Sequence, residues 1–216
     1  MDDNTIICGD AITILPSRAS ETVDLVVTDP PYLCNYRDRY DRAVRNDTEP
    51  NGVLPVFPEL YRVLKLNSFC ISFCGWSAMP RFATAWERSG FKIAGRIVWA
   101  KRYASSSHHT RYCHEAAYVL TKGKPRPPQD PIADIQHWTD TGNRLHPTQK
   151  AEEVIAPLIT AFSQPGDVVL DPFLGSGTTA VAAANLGRRY LGIELEPGYC
   201  DIARQRLMET DLPRAA

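Results

Sequence analysis

Asp29-Pro30-Pro31-Tyr32 places a carboxylate, two residues without a backbone N–H, and an aromatic ring in four consecutive positions. It follows residues 23–28 (VDLVVT), an apolar, β-branched run that reads as a buried strand. Neither proline can donate to a sheet ladder, so the strand ends there and the loop is stiff from its first residue. In open α/β sheets, ligands sit at the carboxyl ends of the strands. An amino group on a flat ring can use these parts together. Asp29 accepts one N–H, the Pro30 carbonyl accepts the other, and Tyr32 lies against the ring. Two acceptors aimed at one nitrogen turn its lone pair outward, toward an electrophile. Taken alone, the tetrapeptide is a strand ending in a proline-stiffened turn; the rest of the chain reverses that reading.

A second constellation lies far downstream. Residues 167–170 read as a strand, and Asp171-Pro172-Phe173-Leu174-Gly175-Ser176-Gly177-Thr178-Thr179 is the loop after it. A small-residue helix starts at 180, and a strand over 190–193 ends at Glu194, completing a β-α-β unit of the nucleotide-binding kind. Gly175 and Gly177 remove side chains where a ligand approaches the backbone. Glu194 lies nineteen residues after Gly175, near the roughly 20-residue spacing of an acid that takes ribose hydroxyls. The loop has no Gly-Lys-Ser/Thr and lacks the third glycine of the dinucleotide fingerprint. Asp171 would repel a pyrophosphate and welcome a cationic or amine-bearing ligand. An adenosine carrying a sulfonium and an amino-acid tail fits better than a dinucleotide.

The elements that must position these residues read as a mostly parallel sheet. A strand over 5–8 ends at Gly9-Asp10, with Asp10 as N-cap of a helix over 11–15. A helix is expected over 53–66 and a strand over 68–73. Cys74-Gly75-Trp76-Ser77 then turns the chain into a helix over 77–89 that stops at Gly90, and a strand covers 91–100. This alternation is that of an α/β fold. Residues 33–52 have no apolar periodicity and mix Arg with Tyr, which fits a lid loop over a ligand, mobile without nucleic acid, and equally fits plain surface disorder. The segment 101–145 breaks the alternation: a strand over 116–120 sits among polar and proline-rich chain that is rich in Trp, Arg, Asn and His, residues used on base edges and phosphates. A helix over 151–163 contains Pro157, which should kink it or delay its start.

The 216 residues, 44% hydrophobic, are enough for one domain with a large core, and no apolar run is long enough to span a bilayer. The acidic start Met1-Asp2-Asp3-Asn4 argues against a secretory signal. Six cysteines are scattered without a Cys-x2-Cys, and the crowding of His108, His109, Cys113 and His114 fits no common zinc spacing; the expected compartment is reducing and cytoplasmic. Net charge is −1, yet residues 81–126 hold ten Lys/Arg against two acids, a candidate footprint for phosphates.

Both constellations, in this order, resemble the β-class amino-methyltransferases of DNA, which act on adenine N6 or cytosine N4. The likeness covers nearly the whole chain: Gly9-Asp10, Asp29-Pro30-Pro31-Tyr32, a recognition region, then His146-Pro147-Thr148-Gln149-Lys150 and the loop from Asp171 to Thr179. The resemblance implies a doubly wound, mostly parallel, seven-stranded α/β sheet, circularly permuted from the common class I methyltransferase order. Its catalytic half would be 1–100, its target-recognition insert 101–145, and its cofactor half 146–216. It implies S-adenosyl-L-methionine as cofactor and no metal. Asp171, Phe173, Gly175, Ser176, Gly177 and Thr178 would surround the methionine part. Glu194 would take the ribose hydroxyls and Asp10 the adenine. His146, Thr148 and Lys150 would lie near the carboxylate, and Asp29 would border the cofactor.

The same resemblance puts the flipped base on Asp29, Pro30, Pro31 and Tyr32. The expected DNA contacts are Arg37, Arg39, Tyr40, Arg42 and Arg45 from the first loop, and Lys101, Arg102, Ser106, His108, His109, Arg111, Trp138 and Arg144 from the insert. Ala151 stands where the family usually has Pro, a departure remote from the chemistry. Asp at position 29 leans toward adenine N6, with cytosine N4 as the alternative. An RNA-base or protein-glutamine methylase and a catalytically silent DNA-binding regulator are the further readings. The implied partners are double-stranded DNA at a short palindromic site, a second copy of the chain, and a separate restriction endonuclease.

Overall fold

The computed structural model of the chain describes residues 3–37, 41–104, 106–107 (backbone only), 109–142 and 144–210. Arg39, Tyr40, His108 and the Ser106 side chain therefore lie outside the described residues. In chain order the elements are β1 (Thr5–Cys8), α1 (Ala11–Ile14), β2 (Val23–Thr28), α2 (Val56–Val63), β3 (Leu64–Phe73), α3 (Met79–Ser89) and β4 (Lys92–Ala100). A two-stranded ribbon, β5 (Ser106–Ser107) and β6 (Arg111–Tyr112), leads to β7 (His114–Lys122) and β8 (Ile135–His137). The chain closes with α4 (Glu152–Phe162), β9 (Val168–Asp171), α5 (Thr178–Asn185), β10 (Arg189–Glu194) and α6 (Pro197–Thr210).

One eight-stranded sheet runs in the order β1-β10-β9-β2-β3-β7-β4-β8. Neighbours from β1 to β3 are parallel; β7 is antiparallel to both β3 and β4, and β8 is parallel to β4. The eighth strand, against the seven expected, is the three-residue β8, drawn from the segment read as irregular. β2 shows why the sheet is covered on both faces. Past the register shift after Val23, Val26 belongs to the core under α2 and α3, while Leu25 and Val27 belong to the core under α4 and α5. Alternate residues of a strand point to opposite faces, so one apolar run serves two cores.

Several boundaries differ from the sequence reading, most of all where α2 meets β3. The helix expected over 53–66 covers only Val56–Val63, and the chain passes from Val63 directly into β3. Leu64 pairs with Val23, and Asn67 sits at φ 60° where the register then shifts to Leu25–Phe69. Sheet pairing thus overrides helical periodicity. In α4 the start is not delayed by Pro157: the helix begins at Glu152 and carries the proline inside it. Gly90 ends α3 in the left-handed region (φ 101°), with its own N–H bonded to Glu87 O and the Phe91 N–H to Trp86 O.

This topology gathers the chemistry. β1, β10, β9, β2, β3 and β4 run in one direction, so their last residues and those that follow share one edge of the sheet. They are Asp10, Glu194, Asp171, Asp29, the turn at Cys74, and Lys101. β7 runs the other way, so its start, with Glu115, reaches the same edge. No helix among the described residues is long and apolar enough to cross a membrane.

Candidate active site

A cleft of about 820 Å3 opens at this edge. Asp29, Pro30, Pro31 and Tyr32 form one part of its wall, and Phe173, Gly175 and Glu194 form another. Asp10, His146, Thr148 and Lys150 line it between them. Asp171, Ser176 and Thr178 border instead a smaller cavity of about 40 Å3, shared with Thr28, Asp29 and Lys150. Gly177 lines neither cavity. A Cβ there would stand 2.7 Å from the Ala203 Cβ, so this glycine (φ 90°) lets α6 pack on the start of α5. Gly175 (φ 56°) does face the cleft, beside the His146 ring.

Asp29 is the centre of a buried polar array. Lys150 Nζ donates to its Oδ2 at 2.5 Å, and the Tyr32 hydroxyl donates to its Oδ1 at 2.8 Å. Burial pushes the Asp29 carboxyl above its ordinary value, against the pull of the Lys150 charge and of both hydrogen bonds. Burial and the Asp29 charge push the Tyr32 phenol far up, so it stays protonated and remains a donor. The Tyr32 oxygen also lies 3.5 Å from Glu115 Oε2, while Glu115 Oε1 pairs with Lys101. Lys150–Asp29–Tyr32–Glu115–Lys101 is thus a continuous chain across the floor of the cleft.

Glu115 went unread in the sequence. Its signal was being one of only two acids in the basic segment and standing at the foot of a strand. Lys101, expected among the DNA contacts, has a side chain only 5% exposed and pairs with Glu115 at the edge of the cleft. Cross-strand pairing of β4 with β7 brings the two together. Glu115→Gln is expected to destabilise the fold by about 3 kcal/mol, because Lys101 would stay buried without its charge partner. Adding Lys101→Met should recover most of that loss in urea denaturation; a double variant no more stable than the single would contradict the pairing.

On the other wall, Glu194 Oε2 accepts from Gly175 N at 2.7 Å and Oε1 accepts from Glu196 N at 2.8 Å. Burial raises its carboxyl, and the backbone N–H groups of Glu196, Gly175 and Leu195 oppose the rise. Asp10 caps α1 through Ile12 N (2.9 Å to Oδ1). Asp171 accepts from Phe173 N (3.0 Å) and from the Thr179 hydroxyl (2.7 Å), and burial lifts its carboxyl to about 7. His146 Nδ1 accepts from Thr148 N at 3.2 Å, which leaves the proton of the neutral ring on Nε2. Burial, Lys150 and Arg42 lower that imidazole to about 4, so it is uncharged at neutral pH.

The remaining expected contacts scatter. Trp138 lines the cleft with the Lys101 and Lys150 ammonium groups 5.1 Å and 6.0 Å from its ring. Arg45 lines the rim and pairs with Glu196 at 2.7 Å. Arg42 is half-buried, with its charge near His146. Arg37 is exposed and paired with Asp41 (2.9 Å). Arg102, His109, Arg111 and Arg144 are exposed and do not border the cleft. Lys122, also in the basic segment, is buried and bonded to Leu64 O.

The chain is similar to known proteins over most of its length. Residues 23–205 match the family model for the N6/N4 DNA methylases. YubD of Escherichia coli (strain K12), named as a methylase, is 44% identical over 92% of this chain and 88% of its own. The DNA adenine methyltransferase YhdJ of the same organism is 31% identical over 94% of this chain and 82% of its own. Among solved structures, that of TTHA0409 from Thermus thermophilus complexed with S-adenosyl-L-methionine superposes with a TM-score of 0.76. It is 25% identical, with 96% of this chain and 94% of that one covered.

Proposed function

The chain belongs to the N6/N4 DNA methylase family, and from that premise we propose that it moves a methyl group from S-adenosyl-L-methionine to adenine N6 of a base flipped out of duplex DNA. One observation carries the reading: Asp29-Pro30-Pro31-Tyr32 and the Gly175–Glu194 wall face a single cleft. Its volume of about 820 Å3 is in the upper part of the range for small-molecule sites, roughly 300–1,000 Å3. That supports a cofactor and a nucleobase side by side. Asp at position 29 and the likeness to YhdJ favour adenine over cytosine N4.

The residues present fit the cofactor. Glu194 offers a carboxylate to ribose hydroxyls at the end of β10, and its hold on Gly175 N keeps the loop open beside it. Asp10 would meet the adenine, Phe173, Gly175, Ser176, Gly177 and Thr178 would shape the loop around the methionine part, and His146, Thr148 and Lys150 would stand near its carboxylate. Asp171, a buried acid with two donors of its own, would favour an ammonium near its cavity. When bound, S-adenosyl-L-methionine supplies an electrophilic sulfonium methyl.

Flipping the base costs about a few kcal/mol, and stacking on Tyr32 returns roughly 1–3 kcal/mol. The exocyclic nitrogen is conjugated with its ring and is a poor nucleophile. Asp29 and the Pro30 carbonyl would each accept a hydrogen bond from one of its N–H groups and pyramidalise it, so that its lone pair points away from the ring. Lys150 and the Tyr32 hydroxyl keep the Asp29 oxygens in place, and fixed alignment supplies much of the remaining rate advantage. Labelled-methyl transfer into duplex DNA, RNA and protein, followed by nucleoside digestion, tests the reading. Label in N6-methyladenine supports it; label in N4-methylcytosine reassigns the base; label confined to RNA or protein refutes it.

Asp171 gives a prediction of opposite sign for stability and binding. Its folded-state pKa of about 7 is raised above the ordinary 3.8, so the stability that it contributes is present at low pH and is lost as the pH rises through 7. Asp171→Asn should therefore stabilise the protein more at pH 8.5 than at pH 5. The difference is roughly 3 kcal/mol, two pH units at about 1.36 kcal/mol each. Cofactor affinity should fall at the same time. Thermal unfolding at the two pH values and cofactor titration check this; equal stabilisation at both would contradict it.

A further inference from the structure

We propose that Trp76 is the side chain that enters the DNA where the target base leaves the stack; this rests on the base-flipping reading above. Exposed apolar residues are ordinary on protein surfaces. Leu66 and Met208, 60% and 69% exposed, are such cases, and neither borders the cleft. Trp76 is also 69% exposed, but it stands on the lip of the cleft. The other three tryptophans are used differently: Trp86 and Trp99 are buried, and Trp138 is packed into the cleft wall.

The turn that carries Trp76 is held from both sides. It leaves the end of β3, next to β2 and Asp29. Cys74 and Ala78 are buried, Cys74 N donates to Ala116 O (3.2 Å), and Ala78 N donates to Gly75 O (3.2 Å). Gly75 lies against Tyr32, since a Cβ there would stand 3.0 Å from the Tyr32 Cδ2. Trp76 therefore directly follows the residue packed on the ring against which the flipped base would stack. The backbone of the turn is anchored, and a Trp side chain has only two rotatable bonds to fix, so little freedom is lost on contact. Apolar wedges inserted between base steps are an established way to hold unstacked DNA open. Trp76 would occupy the gap left in the duplex, or cap the exposed neighbouring base, while Tyr32 receives the base that has left.

The test compares Trp76→Ala and Trp76→Phe with the wild type on two oligonucleotide duplexes carrying a site located by sequencing the labelled DNA. In one the target base is paired; in the other it faces an abasic position, so flipping is already easy. On the paired duplex, Trp76→Ala should lower kcat/KM roughly 10- to 100-fold, as expected for loss of one base-stacking contact. On the abasic duplex it should stay within about threefold of wild type, and Trp76→Phe should recover most of the loss. With 2-aminopurine at the target position, the fluorescence rise on binding should shrink in Trp76→Ala. With an active wild type, an equal loss on both duplexes, or none on either, overturns the assignment of Trp76 alone. A wild type that methylates neither duplex refutes the methyl-transfer reading and this assignment with it.

Discussion

Asp29→Asn is expected to lower kcat by about 10^3-fold or more, while the cofactor dissociation constant moves less than tenfold. Preorganised groups aimed at the reacting atom are worth roughly 10^2–10^3 each, and Asp29 is one of two acceptors for the target amine. Asn keeps the volume but turns one acceptor oxygen into a donor, which clashes with an N–H already pointing at it. The substitution also leaves Lys150, whose side chain is 8% exposed, without its counter-ion. Breaking a buried pair from one side costs about 3–5 kcal/mol, so lost activity alone would be ambiguous. Asp29→Asn combined with Lys150→Met, read at saturating cofactor against Lys150→Met alone, separates the two causes. The double variant should regain stability in denaturant titration yet remain inactive. Activity that returns with stability would make Asp29 a structural residue.

Glu194→Ala should weaken cofactor binding about 10^2- to 10^4-fold, with a much smaller change in kcat at saturating cofactor. Hydrogen bonds to a charged group contribute roughly 1.5–3 kcal/mol each, and two ribose hydroxyls would be lost together. Gly175 N and Glu196 N would also lose their acceptor, so the loop itself would loosen. Glu194→Gln keeps the shape but only one acceptor oxygen, and it should fall between wild type and Ala. Calorimetric titration with S-adenosyl-L-methionine reads this directly. An unchanged affinity in Glu194→Ala would remove the acid from the cofactor site.

Asp29, Asp171 and Glu194 were legible in the sequence because each directly ends a β-branched or apolar run, and parallel strands share their ligand edge. Glu115 was not legible in that way. It begins a strand, and it reaches the cleft only because β7 runs against its neighbours, a direction that periodicity does not encode. The burial of Lys101 was not legible for a related reason. A charge in a basic segment shows nothing of a partner fourteen residues away, which only cross-strand pairing brings close. Gly177 looked like a ligand glycine by its motif, yet the space it leaves is taken by Ala203 of a helix that comes later in the chain. The end of α2 was overrun because Leu64 suits either element, and its pairing with Val23 decided. What local pattern settles is strand ends and turns; what it misses is set by contacts between segments remote in the chain.

A crystal structure with S-adenosyl-L-methionine and a duplex carrying the modified site tests the central claim most directly. The sulfonium methyl carbon and the exocyclic nitrogen of an extruded adenine should lie within about 3–3.5 Å of each other. That nitrogen should lie within hydrogen-bond reach of an Asp29 oxygen and the Pro30 carbonyl, with Glu194 on the ribose. A cofactor seated away from Glu194, or an extruded base that never meets Asp29, would contradict it.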